Sequence, residues 1–438
     1  MGVAERLFLQ LAVILIAGRA VGFILRPARQ PQVVAEMVVG LLLGPSLLGL
    51  LAPGLQHAVF PTTLSVQTGN VTAIVQHPST TILFAIGQLG LILYMFLVGA
   101  QLDIGMLGSH RSEAGRLSLI GIVVPALAGG LLGVALAEDD RLFPSSTSPE
   151  QGGLFLASAM AVTAFPVLAR ILTDTGAAQT RIGTLAISAA AFDDAVAWTL
   201  LALTLALAKD SASGALVTCI GAVAYAAGMI FFIRPLLRRL DERAVMPDTP
   251  VAVTSVLTVV FLCAAFTEEI GVHAVFGAFV AGAVLPRGLL VVRLRRFLEP
   301  LTVTILLPVF FVYAGLNTRI GLLREGSLAW IGLAIILLAF VCKGGGCAFA
   351  MRLGGASYRE AGAVGALMNA RGLMELTLIT IGLERGLISP ALYTILALMA
   401  LATTVAAPPI FQWLHPPESA VPTFGAIDAL VAPSGSER

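Results

Sequence analysis

Charge is scarce in this sequence of 438 residues: only 12% of positions are Asp, Glu, Lys or Arg, against about 25% in a soluble globular chain. So few charges cannot cover the surface of a soluble protein of this length. Soluble enzymes, nucleic-acid binders and secreted disulfide scaffolds are therefore excluded as readings of the whole chain. Lysine is rarer still, with Lys209 and Lys343 standing beside 24 arginines. The four cysteines, Cys219, Cys263, Cys342 and Cys347, lie in apolar stretches without a CxxC pair. They read as small buried hydrophobes and not as a disulfide or metal site. The five histidines do not cluster, and neither a GxSxG nor a phosphate-loop pattern occurs.

What the sequence has in abundance is apolar residues, 58% of the total, with a mean hydropathy of +0.94. That composition is a polytopic membrane protein. On the scale of about 20 residues per crossing, apolar stretches predict helices near 7–25, 33–51, 82–101, 117–137, 154–173, 182–207 and 215–235. Six more follow near 250–268, 270–286, 301–318, 327–350, 360–383 and 388–411, for thirteen in all. The first does not read as a cleaved signal peptide, because no small-residue cleavage site follows it.

The basic residues test that count, because they collect in short cytoplasmic loops. With the N-terminus outside, seventeen arginines fall in inside loops and six basic residues in outside segments. The expectation is thirteen spans, N-terminus out and C-terminus in. The longest outside segment, 52–80, carries no Asp, Glu, Lys or Arg. The tail after His415 lacks periodicity and is too short for a nucleotide-binding regulatory domain.

A few polar residues fall where the membrane makes them expensive. Asp193 and Asp194 sit mid-helix in Ala190-Ala191-Phe192-Asp193-Asp194-Ala195, where each charge costs roughly 2.5–3.5 kcal/mol on insertion scales. Successive helix residues point about 100° apart, so the two carboxylates should serve different partners. One suits a cation pathway and the other a structural counter-ion. Lys343, in Val341-Cys342-Lys343-Gly344-Gly345-Gly346, is the natural counter-ion, and its glycines permit close backbone approach. A static ion pair that only fixes helix packing is the bland alternative.

Two helices look interrupted. Thr163-Ala164-Phe165-Pro166 in the fifth places a proline at mid-depth, which frees carbonyls and is tolerated only where the backbone lines a cavity or is re-satisfied. For Pro166 alone, a packing kink and a site are equally good readings. Met368-Asn369-Ala370-Arg371-Gly372 interrupts the twelfth, and Arg371 and Glu375 are four apart and able to pair. Interrupted helices at matching positions of two halves are the pattern of an inverted-repeat secondary transporter. Elsewhere, His273, near Glu268 and Glu269, reads as a satisfied interfacial histidine rather than a pH sensor. Gly40, Gly44 and Gly49 read as close helix packing, and Glu36 and Asp103 as helix-end residues reaching water.

Several stretches together resemble the cation:proton antiporter superfamily, in the branch of bacterial Na⁺/H⁺ and K⁺/H⁺ exchangers and plant cation/H⁺ exchangers. They are Val162-Thr163-Ala164-Phe165-Pro166 through Leu172, Phe192-Asp193-Asp194 with Trp198, Ile270 through Gly282, Pro308-Val309-Phe310-Phe311, and Leu367-Met368-Asn369-Ala370-Arg371-Gly372-Leu373-Met374-Glu375-Leu376. The resemblance spans roughly residues 5–412. It implies an all-α membrane protein with two broken crossing helices, and a homodimer whose mobile core moves against a dimerisation scaffold. Scaffold helices would lie in 1–115 and, with a linker helix, in 211–325. Core transport helices would lie in 116–210 and 326–412, with 413–438 a short cytoplasmic tail.

By the same resemblance Asp194 is the residue that alternately holds a cation or a proton. Asp193 is the neighbour paired with Lys343, and Thr163 helps frame the site. Asn369, Arg371 and Glu375 support it from the second break. The double aspartate with lysine resembles electrogenic exchangers that move two protons per cation. The implied activity is exchange of Na⁺, or alternatively Li⁺ or K⁺, for H⁺ across the cytoplasmic membrane, with no cofactor. Two rivals stay open: a potassium-efflux system, and an antiporter scaffold reused for an organic ligand or a membrane enzyme.

Overall fold

The computed structural model describes residues 2–28, 30, 32–61, 63–68, 71–101, 111–178, 180–207, 212–242, 250–271, 273–286, 288–324 and 326–415. Helices occupy every stretch where hydropathy placed one. In chain order they are α1 (Val3–Leu25), α2 (Gln32–Leu43), the short α3 (Leu48–Leu51) and α4 (Pro53–Val59), α5 (Pro78–Gln101), α6 (Arg111–Leu136), α7 (Pro149–Ala161) and α8 (Phe165–Asp174). Then come α9 (Arg181–Leu207), α10 (Ala212–Gly228), α11 (Arg234–Glu242), α12 (Pro250–Glu269), α13 (Ala274–Ala283), α14 (Leu289–Leu301) and α15 (Leu307–Leu316). The last are α16 (Gly326–Leu353), α17 (Tyr358–Met368), α18 (Leu373–Glu384) and α19 (Pro390–Leu414). Single π-helical segments, Met229–Ile233 and Thr302–Leu306, join α10 to α11 and α14 to α15 into continuous rods. Among the described residues, nine helices are long and apolar enough to cross a membrane.

The structure departs from the hydropathy reading at particular places. The stretch 33–51 is not one helix: α2 stops at Leu43 before the Gly44-Pro45 pair, where proline disfavours helix in the residue preceding it. The charge-free segment 52–80 holds α4 and a two-stranded antiparallel hairpin, Thr63–Thr68 with Val71–Gln76. Glu36, expected at a helix end in reach of water, is buried in the second turn of α2. Asp103 lies outside the described residues, as does the tail from 416.

The helices pack in two groups. In one, α5 meets α13 and α15, α15 meets α2, α12 meets α13, and α1 meets α2 and α5. Gly40 lies so close to Gly315 that a Cβ there would stand 2.8 Å from the Gly315 Cα and the Phe311 carbonyl oxygen. In the other group α6 meets α7 and α16, α16 meets α17 and α19, and α9 meets α6, α7 and α8. Gly344 and Gly365 give α16 and α17 their close approach. The groups touch where α19 meets α2 and α18 meets α15.

Local chemistry starts these helices cleanly. Ser148 and Gln151 form a capping box at α7, with Pro149 in the first turn, and Ser357 and Glu360 form another at α17. Ser389 caps α19 ahead of Pro390. Between α12 and α13 the chain turns at Gly271, whose φ of 84° suits glycine. There Glu268 accepts from the Ala274 N–H at 2.8 Å and His273 from the Val275 N–H at 3.3 Å. His273 is thus a helix cap, in keeping with the structural reading of that residue.

Candidate functional site: two broken helices crossing beside a buried ion pair

Residues 162–164 between α7 and α8, and 369–372 between α17 and α18, leave helical geometry at mid-bundle. Pro166 does not kink a continuous helix. It occupies the second position of α8, so the break precedes it, where its missing N–H leaves no unmet intrahelical bond. The side chains of Pro166 and Arg170 lie outside the described residues. The two breaks cross, and the Ala164 N–H donates to the Ala370 carbonyl at 2.9 Å. One helix C-terminus and one N-terminus are thereby presented from each broken helix, each carrying roughly half a unit of partial charge.

The negative end of α7 is capped by two cations from elsewhere in the chain. Arg371 donates through Nη1 to the Ala159 carbonyl at 2.6 Å and through Nη2 to the Met160 carbonyl at 2.8 Å. Lys343 Nζ donates to the Ala161 carbonyl at 2.7 Å. The last three carbonyls of α7, which have no partners within the helix, are so satisfied. Arg371 itself is held by Thr404 of α19, whose hydroxyl accepts from the Arg371 N–H and donates to its carbonyl, both at 2.8 Å.

Lys343 also donates to the Gly121 carbonyl at 2.8 Å and to Asp193 Oδ2 at 2.8 Å. All three ammonium protons have acceptors. Asp193 in turn accepts from Ser118 of α6 through Oδ1 at 2.5 Å and from Thr163 through Oδ2 at 3.0 Å. Lys343, Asp193, Ser118 and Thr163 are all fully buried. Thr163 also approaches the Met368 carbonyl at 3.4 Å, bridging one break to the other.

Arg371 Nη1 stands 3.1 Å from Glu375 Oε2. Among the described residues, neither oxygen of that buried carboxylate receives a hydrogen bond, and the same holds for Asn369 Oδ1. The Asn369 amide donates to the Gly365 carbonyl at 3.1 Å and the Phe340 carbonyl at 3.3 Å, tying the end of α17 to α16. Asp194 and Trp198 belong to α9, but their side chains lie outside the described residues.

The geometry thus assembles Asp193, Thr163, Lys343, Asn369, Arg371 and Glu375 around one crossing. The sequence reading missed Ser118, Thr404 and the three α7 carbonyls. Ser118 was visible as a lone hydroxyl in the apolar run of α6, and Thr404 as one of the adjacent pair Thr403-Thr404 in α19. Nothing local marked either as a partner of a charge.

Comparison with known sequences decides the family. The transmembrane sodium/hydrogen exchanger profile matches residues 11–415. This chain belongs to the sodium/hydrogen exchanger family. That is a family of transporters, not an enzyme class, and its members are multi-pass membrane proteins. The exchanger chain is 36% identical over 410 residues to the Na(+)/H(+) antiporter NhaS4 of Synechocystis, covering 92% of this chain and 96% of that protein. It is 32% identical to the K(+)/H(+) antiporter 1 of Saccharomyces cerevisiae over 89% of this chain, but spans only 44% of that longer relative. The sodium proton antiporter MjNhaP1 of Methanocaldococcus jannaschii shares the exchanger fold, with a TM-score of 0.61 over 94% of this chain and 97% of its own, at 17% identity.

Proposed function

We propose that this exchanger is a secondary antiporter trading a monovalent cation for H⁺ by alternating access, with the two competing for Asp194. The observation that carries the reading is the crossing itself. A membrane-buried carboxylate, Asp193, is fully matched by Lys343, Ser118 and Thr163. The pairing duty thus falls to Asp193, and the transport duty is assigned to its neighbour Asp194. One carboxylate cannot hold a metal cation and a proton at once, and that exclusivity couples the two flows. The similarity to NhaS4 supports Na⁺, with Li⁺ as its smaller analogue, and the similarity to the yeast protein keeps K⁺ as the second reading.

In this proposal the chain crosses the cytoplasmic membrane thirteen times, N-terminus out and C-terminus in, and works as a homodimer. The group containing α6–α9 and α16–α19 is the moving core. The group containing α1–α5 and α12–α15 is the scaffold, with α10–α11 as the linker. The test is proton flux in proteoliposomes on adding Na⁺, Li⁺ or K⁺. Wild type should respond to at least one cation, and folded Asp194→Asn should respond to none. Full cation-driven flux in that variant removes the assignment, and no flux in wild type with any cation favours a scaffold reused for another ligand.

A further inference from the structure

The helices α6 and α16 pack side by side, Gly121 against Cys347 and Gly346 against Val124. Their outward faces are apolar and open: Leu119, Leu127 and Leu131 on α6, and Val341, Phe349 and Leu353 on α16, are all exposed. In a membrane protein such a continuous apolar face meets acyl chains.

One end of that face carries two guanidinium groups that pair with no carboxylate among the described residues. Arg116, in the second turn of α6, reaches across to the turn after α16, so close that any side chain at Gly354 would collide with its Nη2. Its Nε is buried and has no acceptor among the described residues. Arg352 spends Nη1 on the Ala356 carbonyl at 2.5 Å and stacks 3.8 Å over the ring of Tyr358. Two described acids at this end are engaged elsewhere: Glu113 pairs with Arg181 at 3.2 Å, and Glu360 accepts from the Ser357 N–H at 2.8 Å. Gly354 and Gly355 keep the turn bare, and Gly355, at φ 82°, has nothing beside its Cα. Tyr358 is 80% exposed, as aromatic anchors at headgroup level are.

We propose that this corner binds the phosphate of an anionic phospholipid, with Arg116 and Arg352 as its counter-ions and the α6–α16 face as the bed for its acyl chains. Guanidinium groups pair with phosphate oxygens through short charge-assisted hydrogen bonds. Basic pockets between transmembrane helices are suited to such headgroups. A phosphate here supplies an anion to two cations that have none among the described residues. The acyl chains extend down a surface that water does not reach.

The test is thermal unfolding of the full-length protein in detergent with phosphatidylglycerol, with phosphatidylcholine, or with inorganic phosphate. Wild type, Arg116→Gln, Arg352→Gln and Arg385→Gln, the last outside this corner, are compared. Phosphatidylglycerol should raise the melting temperature of wild type and Arg385→Gln more than phosphatidylcholine does. In Arg116→Gln and Arg352→Gln that extra shift should fall by about half or more, because one guanidinium–phosphate contact is lost. Equal shifts from both lipids, or full shifts in both corner variants, overturn the proposal. A full shift from inorganic phosphate alone also overturns it, making the corner a site for a free anion. Should Arg116→Gln fail to fold, Arg352→Gln decides the matter by the same criterion.

Discussion

Two ion pairs are buried around the same crossing, and their surroundings differ. Lys343 and Asp193 meet at 2.8 Å, with every ammonium proton donated and the carboxylate receiving two hydroxyls besides. Arg371 and Glu375 meet at 3.1 Å, but the arginine is aimed at the α7 carbonyls and the carboxylate accepts no hydrogen bond among the described residues. The difference teaches that a buried pair need not be a symmetric partnership. In the first, both ions depend on each other. In the second, Arg371 serves the end of a broken helix from the non-helical segment, and Glu375 balances its charge from the first turn of α18 at 3.1 Å.

The comparison breaks most visibly at Lys343. Lys343→Ala strands Asp193 as a buried carboxylate without a counter-ion, which costs about 3–5 kcal/mol. Thermal unfolding in detergent should show the largest loss of any variant here. A loss no greater than that of Glu375→Gln would end the distinction between the pairs.

Ser118→Ala sharpens it at a smaller scale, removing one donor from Asp193 Oδ1 at about 1–3 kcal/mol. If Ser118 also orients Asp193 for transport, the pH profile of proton flux should shift in this variant while Ser118→Thr restores it. A stability loss with an unmoved profile makes the serine purely structural. Glu375→Gln should cost less, about 1–2 kcal/mol, because no hydrogen bond to the carboxylate is lost and Arg371 keeps both carbonyls. Its stability is read by the same unfolding curve, and a loss matching Lys343→Ala would show that Arg371 depends on this charge.

The smallest effect lies outside the core. His77 precedes α5 and accepts from Arg6 at 2.7 Å, with Ser79 Oγ 2.8 Å from its other ring nitrogen. Burial, and then the Arg6 charge, hold its pKa below the usual histidine value. The folded state therefore favours the neutral ring. Its contribution is complete above the unfolded histidine pKa near 6.5 and is lost as pH falls below it. Wild type should lose melting temperature between pH 7 and 5 more steeply than His77→Gln. Parallel curves would show that the histidine is silent.

Much of this architecture was legible in the residues. Hydropathy located the membrane-length helices, because the bilayer imposes a length and a polarity that single segments must satisfy alone, but not α4 in the charge-free segment or α14 ahead of α15. Asp193, Lys343, Arg371 and Glu375 stood out for the same reason, since charge in an apolar run demands an explanation. Asn369-Ala370-Arg371-Gly372 marked the second break. The first was displaced by a few residues, because Pro166 reads as a breaker but acts as a helix starter. The capping boxes Ser148-Pro149-Glu150-Gln151 and Ser357-Tyr358-Arg359-Glu360, which start the half-helices α7 and α17, were not among the features read from the sequence. The hairpin at 63–76 was hidden in a stretch whose plainest feature was its missing charge.

The sequence by itself determined residence in a membrane, the helical segments, the two interruptions and the few ionisable groups among them. These are local properties, decided by composition and spacing within about 20 residues. Only the tertiary structure decided who meets whom. Ser118 finds Asp193 across 75 residues of chain, Lys343 finds it across 150, and Arg371 reaches the Ala159 carbonyl across 212. Such contacts follow from which helix faces pack together. Their pairing is enforced because, away from water, each buried donor or charge has no partner except one the fold brings to it.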